Sequence, residues 1–133
     1  MSRRVDGAVR PLRVLIVDDD SENRDLLEII LTREGFLVES AASGEGALDV
    51  VALRLPDLIL LDVMMPGMDG YQVVQELRSK PATRAIPVIL LSALDGREAR
   101  MRGLGAGADD VLGKPLDRAL LRRRVRSLLR MEG

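Results

Sequence analysis

The chain has 133 residues and is 47% hydrophobic, enough for one compact domain with a sizeable core and too little for two ordinary ones. Its 20 basic and 21 acidic side chains leave a formal net charge of -1, so global charge directs it neither to nucleic acid nor to a membrane surface. Cysteine and histidine are both absent, which excludes disulfides, thiolate chemistry, imidazole general bases, histidine-ligated zinc and a phosphohistidine within the chain.

Residues 1–11 carry Arg3, Arg4 and Arg10 but no apolar run. They are expected to form a flexible arm rather than a signal peptide or anchor, with the domain proper at 12–131. No later stretch reaches the apolar length needed to cross a bilayer, so a cytoplasmic protein is expected. Val14-Leu15-Ile16-Val17 is a continuous apolar run, mostly β-branched, that stops at Asp18-Asp19-Asp20. A strand buried on both faces and ending at the domain surface has this pattern. A helical pattern follows over 23–34, closed by Gly35, then a weaker strand over 36–41 and a helix over 45–55 closed by Pro56. Leu58-Ile59-Leu60-Leu61 stops at Asp62, a helix over 71–80 is closed by Pro81, and Val88-Ile89-Leu90-Leu91 stops at Ser92. A helix over 95–104 precedes a glycine-spaced exit, and 110–112 is a short strand. The last helix, over 117–130, is amphipathic, with Leu121, Val125 and Leu128 on its inner face and Arg122, Arg126 and Arg130 outside.

Five alternations of strand and helix predict an α/β fold, a doubly wound parallel sheet covered by helices on both faces. In such sheets the ligand site lies beyond the carboxyl ends of the strands, which brings Asp18, Asp19, Asp62 and Ser92 to one edge. Carboxylates gathered there repel unless they are protonated or share a cation. With oxygen the only donor type available, the fitting ion is hard, Mg²⁺ or Mn²⁺, completed by water and a substrate phosphate. Lys114, just after the fifth strand, returns a cation to the same edge, and Ser92 adds a hydroxyl donor. A carboxylate nucleophile, a metal, a lysine and a hydroxyl are the parts an in-line phosphoryl transfer uses.

From Leu12 to Arg130 the sequence resembles a two-component response-regulator receiver domain of the CheY-like superfamily. The resemblance rests on Val14-Leu15-Ile16-Val17-Asp18-Asp19-Asp20, on Asp62-Val63-Met64-Met65-Pro66-Gly67-Met68-Asp69-Gly70, on Leu91-Ser92-Ala93, on Gly107-Ala108-Asp109-Asp110 and on Lys114-Pro115. It implies a flavodoxin-like sheet of order 2-1-3-4-5 with five helices. It also implies that Asp62 accepts a phosphoryl group from the phosphohistidine of a sensor histidine kinase or phosphotransfer protein. Mg²⁺ would be held by Asp19, Asp62 and the backbone carbonyl of Met64, with Asp18 acting largely through water, while Lys114 and Ser92 read the phosphorylated state. The chain would be a self-phosphorylating acceptor with at most slow autodephosphorylation, not a turnover enzyme. It would signal by a change in the face formed by the fourth helix, fifth strand and fifth helix.

Met64 and Leu94 occupy the two variable positions flanking the site in that family. Both are apolar, and neither can orient a hydrolytic water, so a long-lived phosphoaspartate is expected. Val111 stands where the family usually has Tyr or Phe, which removes the ring that normally couples Ser92 to the output face; Leu116, where the family often has Phe, is a milder change. Arg122, Arg123, Arg124, Arg126 and Arg130, with Arg97, Arg100 and Arg102, suggest a basic surface for a homodimer through that face. The tail over 119–130 also resembles receivers that precede diguanylate cyclase domains.

Three alternatives compete. A magnesium-dependent phosphatase of the haloacid dehalogenase type needs a second acid two residues after the nucleophile, and that position is Met64. A nucleic-acid-binding regulator is not expected, because no output domain follows the last helix. A pseudo-receiver scaffold is disfavoured by the retention of Asp18, Asp19, Asp62, Ser92 and Lys114.

Overall fold

The structure is a computed structural model that describes the backbone of residues 2–5, 8–93 and 96–130 and, within these, the side chains from residue 10 onward. Within the segment expected to be a flexible arm, β1 (Ser2–Val5) and β2 (Ala8–Pro11) form an antiparallel ladder, Ser2 opposite Pro11 and Val5 opposite Ala8. The sequence between these strands is Asp6-Gly7, a dipeptide favoured in two-residue hairpin loops. Arg10 ties β2 to the domain by two bonds to the Asp57 carboxylate, at 2.7 and 3.0 Å, and Asp57 also accepts the Arg13 N–H at 2.7 Å.

The main sheet contains β3 (Arg13–Val17), β4 (Leu37–Ala41), β5 (Leu58–Asp62), β6 (Val88–Ser92) and β7 (Asp110–Gly113). All its pairings are parallel, in the order β4-β3-β5-β6-β7. Numbered within this sheet alone, that is the predicted 2-1-3-4-5 order.

Alternation along each buried strand divides the core into two layers. Leu15, Val17, Ile59, Leu61, Val88, Leu90 and Val111 point to one face, where they meet α2 (Gly44–Leu53) and α3 (Gly70–Arg78). Val14, Ile16, Leu58, Leu60, Ile89, Leu91 and Leu112 point to the other, against α1 (Ser21–Arg33) and α5 (Arg118–Leu128). Burying each Leu, Ile or Val contributes about 1.5–3 kcal/mol, so the continuous apolar runs are what a two-faced sheet requires. α4 (Arg97–Ala106) contributes little apolar surface, burying only Ala99 and Gly103. It instead approaches β7 closely: a Cβ on Gly103 would lie 2.4 Å from Cγ2 of Val111. Among the described residues no helix is long and apolar enough to cross a membrane.

The starts of α1, α2, α3 and α5 are fixed by short polar side chains, whereas α4 starts after Gly96 with no side-chain cap. Asp20 accepts from the Glu22 N–H, Ser43 from Gly46 and Asp117 from Leu120, while Asp69 and Gln72 form a reciprocal capping box on α3. α1 therefore begins at Ser21, two residues before the predicted start, because Asp20 caps it.

One guanidinium holds the end of the sheet opposite the strands' carboxyl termini. Arg78, at the end of α3, donates to the carbonyls of Gly107 (2.8 Å), Arg84 (3.1 Å) and Ile86 (2.7 Å) and to Asp109 Oδ2 (2.9 Å). Asp109 in turn accepts the Val88 N–H at 2.8 Å, so the loops entering β6 and β7 share one anchor. We predict that Arg78→Ala lowers unfolding free energy by about 2–4 kcal/mol, by leaving several partly buried acceptors unmet. Urea denaturation followed by circular dichroism measures this, and a loss below the usual surface-substitution range would contradict it.

Candidate phosphoacceptor and metal site

The site is built from the carboxyl ends of four adjacent strands. Val17 of β3 is level with Leu61 of β5, so the next residue on each, Asp18 and Asp62, stand side by side. Asp62 is level with Leu91 of β6, and Ser92 with Gly113 of β7. The Lys114 N–H then donates to the Ser92 carbonyl at 2.9 Å, which holds the lysine backbone at the same edge. Its ammonium reaches back to donate to Asp62 Oδ1 at 2.8 Å and lies 3.6 Å from Asp18 Oδ2. One oxygen from each of Asp18, Asp19 and Asp62 lies within 4.8 Å of the others.

Burial sets the electrostatics. Asp18 is 1% and Asp62 4% exposed, whereas Asp19 is open to solvent. Burial pushes the Asp62 carboxyl above its ordinary range; the Lys114 hydrogen bond pulls it down, and the charges on Asp18 and Asp19 push it further up. For Lys114, burial alone would lower the pKa, but its hydrogen bond to Asp62 and the charges of Asp62 and Asp18 outweigh that, and the net shift is upward. The pair is thus an ammonium facing more negative charge than it can neutralise.

The residues fit a hard divalent cation. Asp18 Oδ1 accepts the Asp20 N–H at 3.0 Å, but Asp18 Oδ2 is buried with no hydrogen-bond partner. A buried acceptor without a donor, beside two more carboxylates and only oxygen ligands, is a ready place for Mg²⁺ or Mn²⁺.

Of the residues singled out in the sequence, Asp18, Asp19, Asp62 and Lys114 are brought together by direct contacts or short separations. Ser92, 1% exposed, joins the same edge through strand register. Met64 follows β5 by two residues and is 63% exposed. Leu94 lies outside the described residues. Val111 is packed against Gly103 of α4. The arginines read as a surface for a second copy are partly committed within the chain. Arg100 and Arg124 both meet Asp110, at 3.0 and 3.3 Å, Arg122 pairs with Glu34, and the Arg102 guanidinium lies 4.4 Å from the Tyr71 ring centroid.

Two residues that sequence reasoning gave no part in the site also bear on it. A Cβ on Gly70 would sit 2.5 Å from the Asp62 carbonyl oxygen and 2.9 Å from Val63 Cα, so only glycine lets the start of α3 pack on the Asp62 backbone. Gly70 N–H donates to the Val63 carbonyl at 2.9 Å, closing the turn that follows β5. Arg24, in the first turn of α1, donates to the Asp18 carbonyl at 2.7 Å.

Residues 14–126 match the family model described as the response regulator receiver domain. Response regulator PleD of Caulobacter vibrioides is 53% identical over 120 residues, covering 90% of this chain and 26% of that protein. Response regulator MprA of Mycolicibacterium vanbaalenii is 45% identical over 120 residues, covering 90% of this chain and 51% of that protein. The chain thus spans from about a quarter to about half the length of these curated relatives. Among solved structures, a putative response regulator from Chloroflexus aurantiacus matches with TM-score 0.87 and 40% identity, covering 91% of this chain and 99% of that one. The signal receiver domain of a signal transduction histidine kinase from Syntrophus aciditrophicus matches with TM-score 0.83 and 39% identity, covering 89% of each chain.

The raised pKa of Asp62 carries a stability consequence. A carboxyl whose pKa is higher folded than unfolded favours folding below the unfolded value, and that contribution is lost as pH rises through the folded value. At neutral pH an ionised, metal-free Asp62 therefore opposes folding. Asp62→Asn is predicted to raise the midpoint of thermal unfolding in EDTA at neutral pH, with the gain disappearing by about pH 4, where the unfolded carboxyl also protonates. Mg²⁺ at ten times its dissociation constant should stabilise the wild type by about 1.4 kcal/mol, roughly 3–8 °C, and do little for Asp18→Asn. Thermal scans with and without Mg²⁺ decide both points. A wild type indifferent to Mg²⁺, or an Asp62→Asn variant less stable than wild type in EDTA, would contradict the reading.

Proposed function

Since the chain belongs to the family of response regulator receiver domains, we propose that Asp62 is its phosphoacceptor and that it is charged from a histidine kinase or phosphotransfer protein in the presence of Mg²⁺. The observation that carries this is the convergence of Lys114 on Asp62 at 2.8 Å, beside a buried Asp18 Oδ2 that has no hydrogen bond and only the longer ion pair to Lys114 at 3.6 Å. The Lys114 ammonium occupies Asp62 Oδ1, which leaves Oδ2 to attack phosphorus in line. The new O–P bond forms as the P–N bond of a phosphohistidine breaks, and the imidazole leaves with the electron pair. None of these 133 residues is a histidine, so the donor imidazole lies outside them. Asp18, Asp19 and Asp62, with the Met64 carbonyl, would hold the cation, which when bound neutralises charge on the phosphoryl oxygens. Lys114 balances the charge of the acyl phosphate, and Ser92 is placed at the same edge to donate to one of its oxygens.

The role is that of a substrate charged once, not an enzyme that turns over. A phosphatase of the dehalogenase type needs an acid two residues beyond the nucleophile, and Met64 stands there. We place the domain in the cytoplasm, in keeping with its lack of cysteine, and its output on the surface formed by α4, β7 and α5. Self-association through that surface is compatible with its remaining exposed arginines, Arg97 and Arg123 among them.

Incubation with acetyl phosphate and Mg²⁺ should add about 80 Da, the mass of one phosphoryl group, to the wild type and nothing to Asp62→Asn. EDTA should suppress the gain, and Lys114→Ala should slow it. A wild type that gains no mass would overturn the assignment in favour of a pseudo-receiver scaffold. Because Met64 and Leu94 offer no hydrogen bond to a water, the purified phosphoprotein should decay slowly, over hours rather than seconds. Following that loss by mass spectrometry tests it, and rapid first-order decay would contradict it.

A further inference from the structure

Arg24 is out of place by the usual electrostatics of helices. It sits in the first turn of α1, where the helix dipole disfavours a cation, and it follows the acidic run Asp18-Asp19-Asp20. Its side chain is half-buried and does not pair with any of those carboxylates at ion-pair distance; its Nη1 donates instead to the backbone carbonyl of Asp18 at 2.7 Å. The polar atoms of Asp18 can then be accounted for one by one. The N–H donates to the Ala41 carbonyl at 3.2 Å, Oδ1 accepts the Asp20 N–H at 3.0 Å, and the carbonyl accepts from Arg24. Only Oδ2 has no hydrogen bond, and it is the atom turned toward Lys114, 3.6 Å away, and the carboxylate cluster.

We infer that Arg24 is a positioning residue for the cation site: by fixing the Asp18 peptide from outside the cluster, it aims Oδ2 of Asp18 and sets the turn that presents Asp19. This rests on the proposed Mg²⁺-dependent phosphoacceptor function. Arg24 acts through the Asp18 backbone and touches neither the phosphoryl group nor Asp62.

The two effects of this cation on divalent binding have opposite signs. Considered only as a charge near an acidic cluster, Arg24 repels Mg²⁺, and removing it tightens binding. Considered as the restraint on Asp18, its removal weakens binding, by about tenfold for a supporting group of this kind. Arg24→Met deletes both charge and donor while keeping an unbranched apolar stem; Arg24→Lys keeps the charge and an N–H donor group.

Mg²⁺ titration by calorimetry, with Mn²⁺ titration by electron paramagnetic resonance in parallel, should show Arg24→Met weakened about tenfold and Arg24→Lys largely restored. With acetyl phosphate, Arg24→Met should need more Mg²⁺ for half-maximal rate and approach the wild-type rate at saturation. Unchanged or tighter binding in Arg24→Met, with or without a lower unfolding midpoint, overturns the role and leaves Arg24 as a structural residue. Equal weakening in both variants also overturns it, since a retained donor would then have no value. A wild type that binds neither ion overturns the metal reading itself, a result distinguishable from failure of the Arg24 role alone.

Discussion

The crowding of carboxylates at the carboxyl ends of β3 and β5 governs the rest of the molecule. Parallel register places Asp18 and Asp62 side by side, and the continuous apolar runs behind them leave both almost without access to water. Lys114 supplies one positive charge against this excess, reaching Asp62 at 2.8 Å and Asp18 only at 3.6 Å. Burial first, then the charges of Asp18 and Asp19, keep the Asp62 pKa raised in spite of Lys114. Such a site is costly to fold and favourable to a divalent cation for the same reason, since desolvation strengthens every charge interaction within it.

Holding that arrangement takes close backbone packing around it. Gly70 lets the start of α3 rest on the Asp62 carbonyl, and the Asp69–Gln72 capping box satisfies the helix end at that point. Asp20 caps α1 directly after the acidic pair, while its N–H binds Asp18 Oδ1. The acids of the first motif thus divide between two tasks. Asp18 and Asp19 face the cluster, and Asp20 serves both the helix and its neighbour.

Most of the scaffold was legible because its signals are local and repetitive. The apolar runs at 14–17, 58–61 and 88–91 are buried throughout, and each stops at a polar residue that the sheet carries to one edge. Asp62 and Lys114, 52 residues apart, could be paired in advance only because strand ends in a doubly wound sheet converge. What escaped was information carried by single contacts. The Asp6-Gly7 signal was available but read as arm, and β1 and β2 flank it. Gly70 is an ordinary turn residue in sequence; its necessity depends on a backbone 2.5 Å from where its Cβ would be. Arg24 offered one clue, a cation in the first turn of a helix, but its bond to the Asp18 carbonyl is a matter of side-chain direction. On the basic face of α5, the pairing of Arg122 and Arg124 with acids of the same chain likewise depended on contacts distant in sequence.

β7 is where the departure from the family pattern gains a physical reading. Within five residues the chain carries Asp110, held by Arg100 of α4 and Arg124 of α5, Val111 against Gly103, and Lys114 on Asp62. Val111 packs so closely on α4 that even a Cβ on Gly103 would meet its Cγ2 at 2.4 Å. Valine and glycine are therefore matched: the small residue on the helix allows the strand residue to pack directly on backbone. β7 is thus tied to α4 by this packing and by Arg100 on Asp110, and to α5 by Arg124 on Asp110, with no ring at position 111. The contacts along β7 run from Lys114 at the Asp62 carboxylate to Val111 against Gly103.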